Sequence, residues 1–297
     1  MLSVVIATKD RAPFLARALD SLALQAGAPP FEAIVVDNGS HDGTGDLVTE
    51  RSTVAPFPLH LAQHPEPNRG AARNVGIARA RGETVVFVDD DVWLPPDFLA
   101  AHARAHDGGS RELAVSGPIL NVPSYEVRPE PAASNFSRAF FCTCNVSLPR
   151  RALEAVGGFD EIFNLYGWED TELGLRLRRS GIAQAFAWDA YLYHIKPPQS
   201  ETLETLARKT VERARMAAHL LRKEPTWRAR LATGAYAANL LRARVTAPEW
   251  LLPLYAGLAK SERAPSAFRE IARAQFLDGL YTSELRRVLE SESHGPP

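Results

Sequence analysis

Cysteine is almost missing from this chain of 297 residues, with Cys142 and Cys144 the only two. One residue apart, they cannot easily meet the geometry of a bridge, so a reduced, cytoplasmic protein is expected. No run of about 18 uninterrupted apolar residues occurs, so a spanning helix is not expected. No secretory leader is expected either, because MLSVVIATKD reads as an apolar strand. Nor is there an excess of charge of one sign: 34 Lys and Arg stand against 35 Asp and Glu, net -1. Without an overall basic field, nucleic acid is not an expected partner. The turn after the first strand, TKDRAP, has no glycine, so a dinucleotide-binding fingerprint is absent.

What remains is enough for a full core, since 45% of the residues are hydrophobic. LSVVIAT, FEAIVVD and PLHLAQ read as strands. Between them, residues 13–25 carry Phe14, Leu15, Ala18, Leu19 and Leu22 at helical spacing, and residues 42–51 form a second helix. Strand, helix, strand in this rhythm predicts a parallel sheet with ligands at the carboxyl ends of its strands. Asp10 and Asp37 lie just past two such ends, placed to accept hydrogen bonds from a base or ribose. Their local alternatives are a helix cap for Asp10 and a turn residue for Asp37.

The stretch ETVVFVDDDVW, residues 83–93, organises the rest. Thr84 to Val88 reads as a strand buried on both faces, and it runs into Asp89, Asp90 and Asp91. Three adjacent carboxylates repel one another, and a divalent cation would offset them. On an extended segment Asp89 and Asp91 face one side and Asp90 the other. That arrangement suits magnesium or manganese holding a diphosphate, whereas the plainer alternative is a solvated acidic turn. Upstream, NRGAARNVGIARARG opens a helix whose amino end could approach an anion, with Arg69 and Arg73 its leading members and Arg79 and Arg81 on a solvated face.

VVIATKDR, VVDNGSHDGT, NRGAARNVGI and FVDDDV, in this order, resemble the donor half of the GT-A glycosyltransferases, especially the large family 2 group. The resemblance implies an α/β fold with a Rossmann-like, mostly parallel sheet over residues 1–198. Residues 1–92 would form the nucleotide-sugar half and 93–198 the acceptor half. It implies a nucleoside diphosphate sugar held near Ala7, Thr8, Asp10, Arg11, Asp37, Arg69, Arg73, Asp89 and Asp90, with UDP favoured through Asp37. Asp89 and Asp91 would be the metal-binding DxD pair. NVSLPRRALEAVGGFDE and GWEDTELGLRLRRSG extend the likeness. Glu169 and Asp170 are expected to open a helix, where acidic pairs commonly serve the helix dipole. By resemblance they are the ED pair, with Asp170 the general base of an inverting transfer and Glu169 orienting the acceptor.

His194 ends the apolar run of AWDAYLYHIKPP. A lone histidine there is often structural, but the resemblance makes it a third metal ligand, and an imidazole among carboxylates suits manganese. Lys196 is a weaker candidate for phosphate contact. FCTCNVS is expected near the acceptor, a saccharide or a lipid-linked group.

Beyond Pro198, Ala, Leu and Arg predict a helical extension over residues 199–297, one helix running over 201–223 and the next carrying Arg228, Arg230, Arg242 and Arg244. These helices are expected to pack on the catalytic domain or form a dimer interface with their charges in water. Peripheral contact with an anionic membrane is the alternative. The terminal ESESHGPP is expected to be disordered. Two other activities fit parts of the pattern: a sugar-1-phosphate nucleotidyltransferase, and a non-catalytic sugar-binding scaffold.

Overall fold

The structure is a computed structural model that describes residues 1–107, 112–136, 141–198 and 201–291. Residues 292–297, most of the terminal segment expected to be disordered, lie outside the described residues. The chain divides into two compact units.

The first unit contains β1 (Leu2–Thr8), α1 (Ala12–Ala23), β2 (Phe31–Asp37), α2 (Thr44–Ser52), β3 (Leu59–Gln63), α3 (Arg69–Arg79) and β4 (Thr84–Val88). It continues through β5 (Val92–Trp93), α4 (Phe98–His106), β6 (Leu113–Ser116), β7 (Ile119–Val122), β8 (Asn145–Pro149), α5 (Arg150–Ala155), α6 (Glu169–Arg179), β9 (Ala183–Phe186) and β10 (Leu192–Ile195). Seven strands form one sheet in the order β3-β2-β1-β4-β8-β6-β9. β1 to β4 run parallel, and β8 is antiparallel to both β4 and β6. Side chains alternate across this sheet, so Val4 and Ile6 join one core with Leu15, Leu19 and Phe98, while Val5 joins the other with Ile34, Ala72 and Phe87. Burial on both faces is what the continuous runs of Val and Ile require. α3 lies close on the sheet because it is built of small residues: a Cβ at Gly76 would stand 2.4 Å from Val5 Cγ1.

A smaller sheet, β5-β10-β7, sits past the end of β4. Its strands have two to four residues, too short to show a period in sequence. The buried side chain of Asn145 connects the two sheets by donating to Ala190 O at 2.8 Å and Pro118 O at 3.2 Å, while its Oδ1 lies 2.9 Å from His102 Nε2. His102 is fully buried, and its Nδ1 meets Ser147 Oγ at 2.8 Å. Burial drives its pKa down to about 4, so α4 is held to β8 through a neutral imidazole.

Two local expectations change. Asp10 does not cap α1; at φ 51° its Oδ1 accepts from His41 N at 2.7 Å and its own N donates to Ser40 Oγ, joining the β1–α1 loop to the β2–α2 loop. The helix expected from residue 42 starts at Thr44, because Asp42 stays outside to accept from Ala12 N and Thr44 Oγ1.

The second unit holds Leu165–Trp168 together with α7 (Leu203–Lys223), α8 (Trp227–Thr233), α9 (Ala237–Thr246), a 3-10 turn (Glu249–Leu251), α10 (Leu252–Lys260) and α11 (Ser266–Ser291). The single helix expected to carry Arg228 to Arg244 is two, because Gly234 at φ 71° ends α8 in a left-handed cap. Ala214, Ala217 and Ala218 of α7 pack against Tyr281 and Leu285 of α11. Trp168 Nε1 donates to Arg213 O at 2.8 Å. Since alanines fill the seams, large apolar side chains are left outside: Trp227 is 68% exposed and Trp250 77%, with Leu231, Leu241, Val245, Leu254, Phe268 and Ile271 also exposed. No helix among the described residues is long and apolar enough to cross a membrane.

Candidate active site

After Val88 the chain bends out of the extended form, and the three aspartates separate. The simple alternation expected of them is therefore incomplete. Asp90 does turn away, its Oδ2 accepting from Thr8 Oγ1 at 2.7 Å. Yet Arg11 Nη1 lies 3.0 Å from Asp90 Oδ1 and 2.7 Å from Asp91 Oδ2, tying those two together. Asp89 faces Arg73 Nη2 at 3.6 Å. Burial pushes the Asp90 carboxyl up to about 6 against the opposing pull of Arg11 and Thr8. For Asp91 burial is outweighed by His194 and Arg11, which bring it down to about 2.

Strand pairing brings distant residues to this turn. β10 runs antiparallel to β5 with His194 opposite Val92, and Ile195 N donates to Asp91 O at 2.8 Å. His194 Nε2 consequently lies 3.1 Å from Asp91 Oδ1. The β4–β8 ladder ends with Val88 opposite Asn145, which leaves Cys144 beside Asp89. One ligand atom from each of Asp89, Cys144 and His194 lies within 4.8 Å of the others.

These residues fit a divalent cation. His194 Nδ1 is 3.1 Å from Asn121 Oδ1, an amide oxygen that only accepts, so the ring proton belongs on Nδ1. Nε2 faces the buried Oδ1 of Asp91 at 3.1 Å, to which a protonated ring donates and which a neutral ring leaves to a cation. With Nδ1 held on Asn121, a neutral ring presents its Nε2 lone pair beside the Asp91 carboxylate, the tautomer that a metal ligand requires.

A second carboxylate group faces Arg73 from the start of α6. Arg73 Nη1 is 3.4 Å from Glu169 Oε1 and 3.6 Å from Asp170 Oδ1, and the guanidinium also stands 5.6 Å from the centre of the Phe159 ring. Its side chain is only 10% exposed, so its charge is committed to the protein's own acids. Asp170 Oδ2 accepts from Thr143 N at 2.9 Å and from Thr143 Oγ1 at 3.0 Å. Burial raises the Asp170 carboxyl to about 6, with Arg73 opposing and Glu169 adding to the rise. The two acids differ in access: the Asp170 side chain keeps 22% exposure and Glu169 8%, with Glu169 Oε2 unpartnered among the described residues. Asp170 is thus a reachable carboxylate, ionised at neutral pH and basic enough to take a proton.

Ala7 and Thr8 end β1, and Asp37 ends β2 with Oδ1 accepting from Ser40 N at 2.8 Å. Arg69 opens α3, where the Asn68 side chain caps Ala71 N. Lys196 is exposed just past β10. Sequence reasoning missed Cys144 as a neighbour of the aspartates, Asn121 as the partner of His194, and Thr143 as the partner of Asp170. For Thr143 and Cys144 the sequence carries a signal, since FCTCNVS is expected near the acceptor.

Residues 3–145 match glycosyl transferase family 2, and residues 127–206 match the N-terminal domain of galactosyltransferase. Validoxylamine A glucosyltransferase of Streptomyces hygroscopicus subsp. limoneus is 31% identical over 242 residues, covering 69% of this chain and 53% of that protein. Hyaluronan synthase of Pasteurella multocida is 25% identical over 67% of this chain and 25% of its own length. The chain spans about half the length of the glucosyltransferases it matches. Among solved structures, mannosyltransferase PcManGT from Pyrobaculum calidifontis in complex with GDP-Man and Mn2+ superposes with TM-score 0.62 at 20% identity, over 96% of this chain and 86% of that one. S. aureus TarS 1-349 in complex with UDP-GlcNAc gives TM-score 0.57 at 21% identity, over 99% and 92%. At such identities the two structures share the fold with this chain.

Proposed function

Because the chain is a family 2-like glycosyltransferase with the GT-A fold, we propose that it moves a sugar from a nucleoside diphosphate, UDP favoured, to an acceptor hydroxyl, with inversion. The observation that carries this reading is Asp170. It is a reachable carboxylate with a pKa raised to about 6, fixed on Thr143 and separated by Arg73 from the Asp89 turn. Asp170 takes the proton of the incoming hydroxyl, and with one base and no protein nucleophile the acceptor attacks the face opposite the leaving group. Glu169, nearly buried, acts on the acceptor side through Arg73, which keeps the carboxylates apart and partly neutralised. Ala7, Thr8, Asp10, Asp37 and Arg69 surround the ends of β1, β2 and the start of α3, where the nucleotide and its phosphates bind. Arg11 keeps 45% of its side chain exposed, so it can leave Asp90 and Asp91 and turn to a phosphate.

Asp89, Asp91 and His194 would hold a manganese or magnesium ion, which supplies positive charge to the diphosphate as it departs. The TarS complex with UDP-GlcNAc supports a UDP-sugar, and the PcManGT complex with GDP-Man and Mn2+ keeps guanosine open to test. Calorimetric titration with UDP, GDP and dTDP, each with manganese and with chelator, decides this. One nucleotide binding only with metal supports the reading; none binding to folded protein overturns it.

The acceptor is a saccharide or a lipid-linked group, and the helical unit favours an anionic lipid surface as its docking partner. Trp227, Leu231, Trp250 and Phe268 are exposed there, and between residues 226 and 273 Lys and Arg outnumber Asp and Glu. Apolar wedges among basic groups match an anionic headgroup layer.

A further inference from the structure

Cys144 has no task in the mechanism above, yet it is 3% exposed and faces the most charged turn of the molecule. Its sulfur, a carboxylate oxygen of Asp89 and a ring nitrogen of His194 lie mutually within 4.8 Å. Donor atoms around a tetrahedral ion with Zn–S of about 2.3 Å and Zn–N of about 2.0 Å stand about 3.5 Å apart, so rotamer adjustment of roughly 1 Å gathers all three. The buried Oδ1 of Asp91, 3.1 Å from His194 Nε2, places a further carboxylate beside the same ring nitrogen. Cys142, by contrast, has Asp170 and Arg73 among its charged neighbours and is absent from this group.

We propose that Cys144 is a metal ligand, so that Asp89, His194 and Cys144 form a mixed carboxylate, imidazole and thiolate site preferring thiophilic divalent ions such as zinc or cobalt over magnesium. The inference rests on the metal site of the proposed function and deepens it. On binding, the sulfur–metal bond forms as the thiol proton passes to solvent, with no change of oxidation state. Soft sulfur with imidazole favours zinc and cobalt, whereas magnesium prefers hard oxygen donors. A thiolate on the ion also lowers its net positive charge, which makes the choice of metal a control on the chemistry of the site.

The test is cobalt(II) titration of the purified full chain without nucleotide, followed by absorption spectroscopy, with bound cobalt measured by equilibrium dialysis. A sulfur-to-cobalt charge-transfer band in the near ultraviolet should appear and saturate at one cobalt per chain. It should vanish in Cys144→Ser and Cys144→Ala, both checked for folding by circular dichroism, and persist in Cys142→Ser. Zinc should bind the wild type about tenfold or more tightly than Cys144→Ser, with manganese affinity little changed. Cobalt bound without the band, a band that survives both Cys144 variants, or no bound cobalt overturns the proposal. Nucleotide titrations are independent of this readout, so failure of the transferase reading and failure of the thiolate ligand are told apart.

Discussion

Arg73 stands among Asp89, Glu169 and Asp170, and its removal tests how the site keeps its acids apart. The Asp170 carboxyl lies at about 6 because burial raises it and Arg73 opposes that rise. A general base works when ionised, so kcat/KM should fall as pH drops through about 6 and level off above 7. In Arg73→Met the opposing charge is gone, and the limb should move to higher pH; a pH–rate profile that stays in place overturns the assignment. Asp90, also near 6, is governed by burial, Arg11 and Thr8, so a shift caused by Arg73 reports on Asp170. Asp170→Asn should lower turnover by roughly 10²–10⁴-fold while nucleotide affinity, read by calorimetry, is kept. At this scale the sequence names the acids and bases but not their partners. Which guanidinium neutralises which carboxylate depends on contacts such as Arg11 to Asp91 and Arg73 to Glu169, set by strand bends that no local pattern carries.

Between elements the decisive contacts are small. A Cβ at Gly117 would fall 1.7 Å from Ala190 O, directly before the strand bearing His194. Gly117→Ala should therefore lower stability by about 1–3 kcal/mol and weaken metal binding, measured by thermal unfolding and by metal titration. His102 makes a second prediction. Its folded pKa of about 4 lies below its ordinary 6.5, so between these values the unfolded chain takes up a proton that the folded one refuses. Stability contributed by neutral His102 is complete above about 6.5 and is lost as pH falls towards 4, by roughly 3 kcal/mol at most. Urea unfolding of wild type and His102→Gln from pH 7 to 4 should show the steeper acid loss in the wild type alone. The long strands β1, β2 and β4 were legible because runs of Val and Ile leave little else to be; β5, β7 and β9 were not, since two to four residues have no readable period and owe their form to their neighbours.

For the whole molecule, the prediction concerns the helical unit. Sedimentation with phosphatidylserine-containing vesicles should carry the protein down at low salt, and less so in Trp227→Ala/Trp250→Ala or at high salt, where headgroup attraction is screened. If the double variant sediments unchanged, or the wild type proves a dimer that dissociates on this substitution without binding vesicles, the lipid assignment fails and the surface pairs copies of the chain. Helical character was evident from composition, whereas exposure was not: apolar residues at helical spacing look alike whether they meet a core or water. The Ala-rich seams of α7 and α11 decided the matter.

The pairing of β10 with β5 also sets an order of events during synthesis. Asp91 leaves the ribosome about a hundred residues before His194, which at roughly 5–20 residues per second is a delay of about 5–20 s. The parallel strands β1 to β4 and their helices all lie before β10 in the chain, as does Arg11, which can pair with Asp90 and Asp91 without it. Because Arg11, Asp90 and Asp91 all precede β10, their ion pairs need nothing from the strand that brings the histidine.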